Sequence, residues 1–178
     1  MDERLILDLG CGGKKRPGVL GVDLNARTNP DILHDLNKFP YPFEDATVDH
    51  VIMDNVLEHL SNAIAVMEEL YRILKTGGTA QIIVPYFRSN WAAVDPTHIH
   101  SFTTQSFAYY DPDHDIFKRY RYTDAKFKTE RVVFNETILG GLVRPLVKKF
   151  ANRWPWRYEY HFSHLFPLDD ITWFLLEK

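Results

Sequence analysis

A single cysteine, Cys11, stands in a chain of 178 residues, and one thiol closes no internal disulfide. Burial alone must hold the fold together, and the expected compartment is reducing and cytoplasmic. Long apolar runs are missing too: nothing approaches the roughly 20 residues that a membrane-crossing helix needs. Met1–Arg4 carries no signal-peptide pattern. Internal repeats, low-complexity tracts and linkers are also lacking, so the whole chain, 1–178, is expected to form one domain with a real core.

Basic residues are scarce in the first two-thirds. Met1–Ile116 holds nine Lys and Arg against seventeen Asp and Glu, whereas Phe117–Lys178 holds twelve against seven. In the last third they alternate with aromatics, in FKRYRYTDAKFK and RPLVKKFANRWPWRYEYHF. Such a surface suits an anionic ligand, a nucleic acid or a membrane. A solvated face over an aromatic core explains the same residues more simply, so nucleic acid and membrane are not the favoured partners.

Short apolar runs alternate with helical or loop segments, the pattern of a parallel sheet with crossovers. Strands are expected at Leu5–Leu9, Val19–Asp23, Ile32–His34, His50–Met53, Ala80–Val84, Arg131–Asn135 and Thr172–Glu177. The clearest helix is Ala63–Leu74, where Ile64, Met67, Leu70, Tyr71 and Leu74 recur at helical spacing and Lys75-Thr76-Gly77-Gly78 supplies a stop. The segments 85–128 and 138–167, the latter with Pro145 interrupting an apolar pattern over Ile138–Asn152, are candidate lids.

A helix is also lacking where one is expected most. Gly10, Gly12 and Gly13 follow directly on the first strand, and Asp23 closes the second. Bare backbone beyond a strand end, with an acid suited to ribose hydroxyls, points to a nucleoside-containing cofactor. A dinucleotide fingerprint would put a third glycine where Lys15 stands and a helix N-terminus against the pyrophosphate. Only nine residues, Gly10 to Gly18, separate the strands, and Pro17 restricts them further. A diphosphate would lose its anion site, whereas an amino-acid carboxylate needs less, and Lys14, Lys15 or Arg16 would supply charge for it.

LDLGCG with GVDLN, then HDL, then FPYPFEDATVDHVIMDNVLEHL, then LYRILKTGGTAQIIVPYF resembles the class I S-adenosylmethionine-dependent methyltransferases, specifically the type 11 domain. Four ordered motifs cover about half the chain. The resemblance implies an α/β, Rossmann-like three-layer sandwich around a mostly parallel seven-stranded sheet in the order 3-2-1-4-5-7-6, with the last strand antiparallel. It implies S-adenosyl-L-methionine as cofactor and S-adenosyl-L-homocysteine as product. Asp8, Gly10, Cys11 and Gly12 would surround the methionine part, Asp23 the ribose and Leu24 the adenine, with Asp35 and Leu36 at the adenine edge and Asn55 and Val56 beyond strand four. The chain departs from the family in its nearly deleted first helix and in having no helix ahead of the first strand. Cover for the site would come from internal segments, from a partner subunit in a homodimer, or be absent.

Methyl transfer needs alignment and dryness more than a nucleophile, and a base only where the acceptor must lose a proton. His98 is the candidate base or acceptor-orienting group, with His100 as its neighbour; DPTHIHSFT resembles a stretch that many type 11 relatives carry near the acceptor pocket. His59 reads as structural or part of the cofactor loop. Asp95, His98, His100, Asp111, Asp113, His114 and Asp115 offer a rival use as metal ligands, but spacing alone carries no ligand signature, and no metal is expected. Tyr86, Phe87, Trp91, Phe107, Tyr109 and Tyr110 would line an acceptor pocket or, more ordinarily, fill the core.

The leading expectation is O- or N-methylation of a small-molecule acceptor. Its rivals are methylation of a macromolecule, lipid or sugar carrier at a surface, with Leu139, Leu142, Val143, Leu146 and Phe150 as an interfacial stripe, and a catalytically silent cofactor-binding partner protein.

Overall fold

The computed structural model describes residues 4–14, 16–135 and 143–178. Seven strands form one sheet: β1 (Ile6–Leu9), β2 (Leu20–Asp23), β3 (Ile32–Leu33), β4 (Val48–Asp54), β5 (Leu74–Pro85), β6 (Phe127–Phe134) and β7 (Asp170–Glu177). Their order is β3-β2-β1-β4-β5-β7-β6, as the resemblance implies. The first five strands run parallel, and β7 is antiparallel to both β5 and β6. All seven expected strands are present.

Near-continuous apolar runs in β1, β4 and β5 reflect strands covered on both faces. Leu7, Leu9, Val51, Met53, Ile82 and Val84 are fully buried, joined from β7 by Ile171 and Trp173. The helix α1 (Ala63–Ile73) is the crossover between β4 and β5; Asn62 caps it by accepting from the Ala65 N–H at 3.0 Å. It buries Val66, Met67, Leu70 and Ile73. The expected face is rotated slightly, because Ile64 stays partly exposed and Leu74 already belongs to β5. Lys75–Gly78 is therefore an irregularity inside a long strand, with the register shifting between the pairings Leu74↔Val48 and Thr79↔His50.

No such helix joins β1 to β2. Residues 10–14 and 16–19 form turns and bends only, and β2 reaches β3 through a single 3₁₀ turn, Ala26–Thr28.

The described parts of the two lid-like segments contribute side chains to the core. Residues 86–126 carry two short helices, α2 (Trp91–Val94) and α3 (Asp115–Tyr120), and their aromatics enter the core. Phe102 and Phe107 stack at 6.3 Å and both meet Trp173 edge-on or tilted. Toward the C-terminus α4 (Val143–Arg153) and α5 (Pro155–His161) pack beside β6, anchored where Tyr158 meets Tyr86 and Phe134. Pro145 belongs to α4. The expected interfacial positions Leu139 and Leu142 lie outside the described residues.

Candidate active site

Parallel strands end together, and connections leaving β1, β2, β4 and β5 build two neighbouring cavities beyond their carboxyl ends. The first, of about 330 Å³, is lined by Gly10, Asp23, Leu24, Asp35, Leu36, Asn37, Asn55, Val56, His59 and Leu60. Seven of the ten expected cofactor residues are among these. Leu24 is 68% exposed, an apolar side chain held out on a wall where a flat ring would cover it.

The glycine loop is held by Asp23 itself. Its two carboxylate oxygens accept from the Gly12 N–H at 2.9 Å and the Asn25 N–H at 2.8 Å. Each oxygen keeps a further lone pair for a hydroxyl. Gly10 has φ +77°, and a Cβ there would sit 2.2 Å from Val56 Cγ2, so the loop lies directly on the β4 exit.

The other three expected residues, Asp8, Cys11 and Gly12, do not line it. Cys11 is buried against Gly21, whose added Cβ would stand 2.8 Å from its Sγ. Gly12 orients Asp23, as above. Asp8 is 1% exposed and bound by Arg16, which also donates to Asp54 Oδ2 at 2.9 Å. Burial pushes the Asp8 carboxyl above its ordinary range, and Arg16 acts against that rise. Of the three basic loop residues, Arg16 is thus engaged by protein carboxylates, Lys14 is exposed and Lys15 is outside the described residues.

The second cavity, of about 340 Å³, is lined by Asn55, Glu58, His59, Pro85, Trp91, Val94, Asp95, His98 and Asp170. Asn55 and His59 belong to both. Asn55 takes a left-handed φ of 54° while donating its backbone N–H to Ile83, so the chain turns sharply at the shared wall.

His98 lies here, and His100 does not. His100 sits 2.8 Å from the Leu60 carbonyl through Nε2 and rests edge-on against Phe102, ordering the loop. Glu58 fills the place beside His98: it is 1% exposed, and its carbonyl accepts from both Ile99 and His100 N–H. Both of its carboxylate oxygens are buried without a hydrogen-bond partner, and burial pushes the group up to about 7, against its own backbone N–H. Asp170, Asp54 and Asp95 add to that rise.

The expected metal-ligand set is dispersed. His114 caps α3 by accepting from Ile116, Asp113 pairs with Lys178, and His100 is committed to Leu60. Of the six aromatics, Tyr86, Phe107 and Tyr110 are core, and only Trp91 lines the second cavity.

Residues 7–82 match the family model described as "Methyltransferase domain", type 11. Residues 7–82 are thus similar to a class I methyltransferase domain of type 11. That match spans β1 to β5 and stops before the acceptor-side loops. Solved structures share the fold along the whole length. A SAM-dependent methyltransferase from Archaeoglobus fulgidus is 19% identical, with TM-score 0.62, covering 99% of this chain and 87% of that one. An S-adenosylmethionine-dependent methyltransferase from Mesorhizobium loti is 15% identical, with TM-score 0.59 and coverages of 98% and 91%. Phosphoethanolamine N-methyltransferase 2 from Haemonchus contortus, solved with S-adenosyl-L-methionine, is 16% identical, with TM-score 0.54 and coverages of 98% and 48%. No curated protein sequence matches the chain.

Reading the sequence missed Glu58 as a site residue. Its neighbour His59 drew notice for its chemistry, whereas a glutamate in a loop signals solvent. The one usable signal was its place in the turn straight after an apolar strand, where a side chain meets the ligand edge of the sheet.

Proposed function

We propose that this chain transfers a methyl group from S-adenosylmethionine to an oxygen or nitrogen of a small-molecule acceptor. The observation that carries the reading is the pair of cavities sharing Asn55 and His59 as one wall: a nucleoside side over β1 and β2, a polar side over β4 and β5. Asp23, with lone pairs to spare, suits ribose; exposed Leu24 suits adenine. The helix-free loop offers no dipole for a diphosphate.

When bound, the cofactor supplies an electrophilic methyl group on a sulfonium, and the protein's share is alignment and exclusion of water. Trp91 covers the acceptor side, and His98 and Glu58 face the group that must release a proton. Calorimetry with S-adenosylhomocysteine and with NAD tests the first half of the reading, and methyl transfer from labelled cofactor across hydroxyl and amine acceptors tests the second. Uptake of NAD with no heat from the homocysteine nucleoside would overturn it. Uptake of the nucleoside with no transfer would favour a silent binding partner.

One observation favours a second reading, a lipid or sugar carrier met at a membrane. Leu146, Trp154, Trp156, Tyr160 and Leu165 stand exposed on and after α4 and α5, beside exposed Lys149, Arg153 and Arg157. Salt-sensitive co-sedimentation with anionic vesicles, absent with neutral ones, would support it.

A further inference from the structure

Three side chains of the acceptor cavity turn acceptor atoms toward one another. Glu58 places two buried carboxylate oxygens there that no other residue hydrogen-bonds. His59 Nδ1 lies 2.9 Å from Thr97 Oγ1, and that hydroxyl gives its one hydrogen to Asp95 Oδ1 at 2.6 Å. Thr97 must then accept from His59, which fixes the ring proton on Nδ1 and leaves a lone pair on Nε2. His98 follows the same pattern: its Nδ1 lies 3.4 Å from the Ala92 carbonyl, which can only accept, so in the neutral ring the lone pair is on Nε2, 3.9 Å from Glu58 Oε1. The two rings meet edge to face at 4.6 Å. One ligand atom from each of Glu58, His59 and His98 lies within 4.8 Å of the others.

Three converging acceptors in a buried corner call for a cation. We propose that Glu58, His59 and His98 bind a divalent transition-metal ion on the acceptor side of the site. Two imidazole nitrogens with one carboxylate suit manganese, iron(II), cobalt or zinc, whereas magnesium and calcium want oxygen throughout. Three protein ligands leave coordination positions open toward the cavity that Trp91 and Asp170 also line. The Asp95–Thr97 chain behind His59 is the outer support that such ligands ordinarily have. The ion's part in transfer rests on the methyltransferase reading: an acceptor hydroxyl on an open position would lose its proton more readily, with no imidazole needed as base. The site itself stands on geometry alone.

The test uses full-length protein stripped with a chelator and titrated with cobalt(II), followed by calorimetry and visible absorption. One equivalent is expected per chain, with Glu58→Gln and His98→Ala each weakening uptake by about 100-fold or more, and Thr97→Val by about 10-fold. Thr97 is exposed, so its variant answers the question where a buried one fails to fold. Wild-type protein that takes up no equivalent of cobalt, manganese or zinc at micromolar concentrations overturns the site; so does uptake unchanged in all three variants. S-adenosylhomocysteine binding is measured on the same samples. Cobalt uptake without nucleoside binding leaves the metal site standing and removes the transfer reading, and the reverse removes only the metal site.

Discussion

Arg16 reaches from the shortened loop to the buried carboxylate of Asp8, and its second nitrogen holds Asp54 at the end of β4. Two adjacent strands are thereby clamped at their carboxyl ends by a residue from a loop that, with a full helix, would have been carried away from them. The stabilisation has a definite pH signature. Asp8 ionises above its ordinary 3.8 in the folded protein because burial disfavours the anion, so ionised Asp8 costs stability once the pH has risen through the folded value. Arg16 limits that cost. Arg16→Ala should therefore lose more stability at pH 7 than at pH 4, about 1–2 kcal/mol at the higher pH, a discount from a fully buried pair because Arg16 is partly exposed. Adding Asp8→Asn should restore most of it. Urea melts at the two pH values check this; an equal loss at both would show that the guanidinium acts only by packing.

The glycines of the loop are not equivalent. Gly10→Ala would drive a methyl group into Val56 at a left-handed φ, whereas Gly13→Ala meets nothing within 4 Å. The first should lower S-adenosylhomocysteine affinity at least about 10-fold and cost about 1–3 kcal/mol of stability. The second should leave both unchanged. Calorimetry and thermal melts on the two variants decide it, and equal effects would mean that loop flexibility rather than close approach is what matters.

The sheet was legible because its central strands are buried on both faces and so spell near-continuous apolar runs, broken only by a glycine and by acids: ILDL, LGVD, VIMD and IIVP. Edges were less so. β6 begins at Phe127 rather than Arg131 because its first half alternates buried Phe127 with exposed Lys128 and Glu130, a half-solvated pattern that its charges disguise. In the site, Asp23 and Leu24 were readable since motif and strand end coincide. Glu58 was not, because its burial depends on the Ile99–His100 backbone folding over it from forty residues downstream. A single sequence does not display that return, nor that His100 would turn to Leu60 while His98 turned inward.

Asp23 has two roles that substitution can separate. Asp23→Asn keeps one acceptor for the loop and removes the charge-assisted bonds to a ribose, which should cost about 1.5–3 kcal/mol of binding. That corresponds to roughly a 10- to 150-fold weaker S-adenosylhomocysteine complex, with the melting temperature little changed. Asp23→Ala should lose both binding and the Gly12 and Asn25 N–H anchors, so its melting temperature should fall as well. Finding that neither variant weakens the nucleoside complex would remove Asp23 from the cofactor site.

The adenine edge is held from a distance. Glu69 on α1, only 8% exposed, accepts from the Tyr41 backbone N–H and pairs with Arg72, which also donates to the Tyr41 and Phe43 carbonyls and to Asp45. Tyr41 in turn donates its hydroxyl to the Leu36 carbonyl at 3.0 Å, so the loop that presents Asp35 and Leu36 to the first cavity is fastened to the helix by one planar guanidinium. Lysine has no such fork. Arg72→Ala leaves Glu69 buried and unpaired and should cost about 3–5 kcal/mol of stability. Arg72→Lys should recover less than half of that, because a single ammonium cannot serve two carbonyls and two carboxylates at once. Both variants should also weaken S-adenosylhomocysteine binding, although neither residue touches the cavity. Stability and binding measured together distinguish this arrangement from a purely local helix contact, for which the lysine variant would bind as tightly as the original protein.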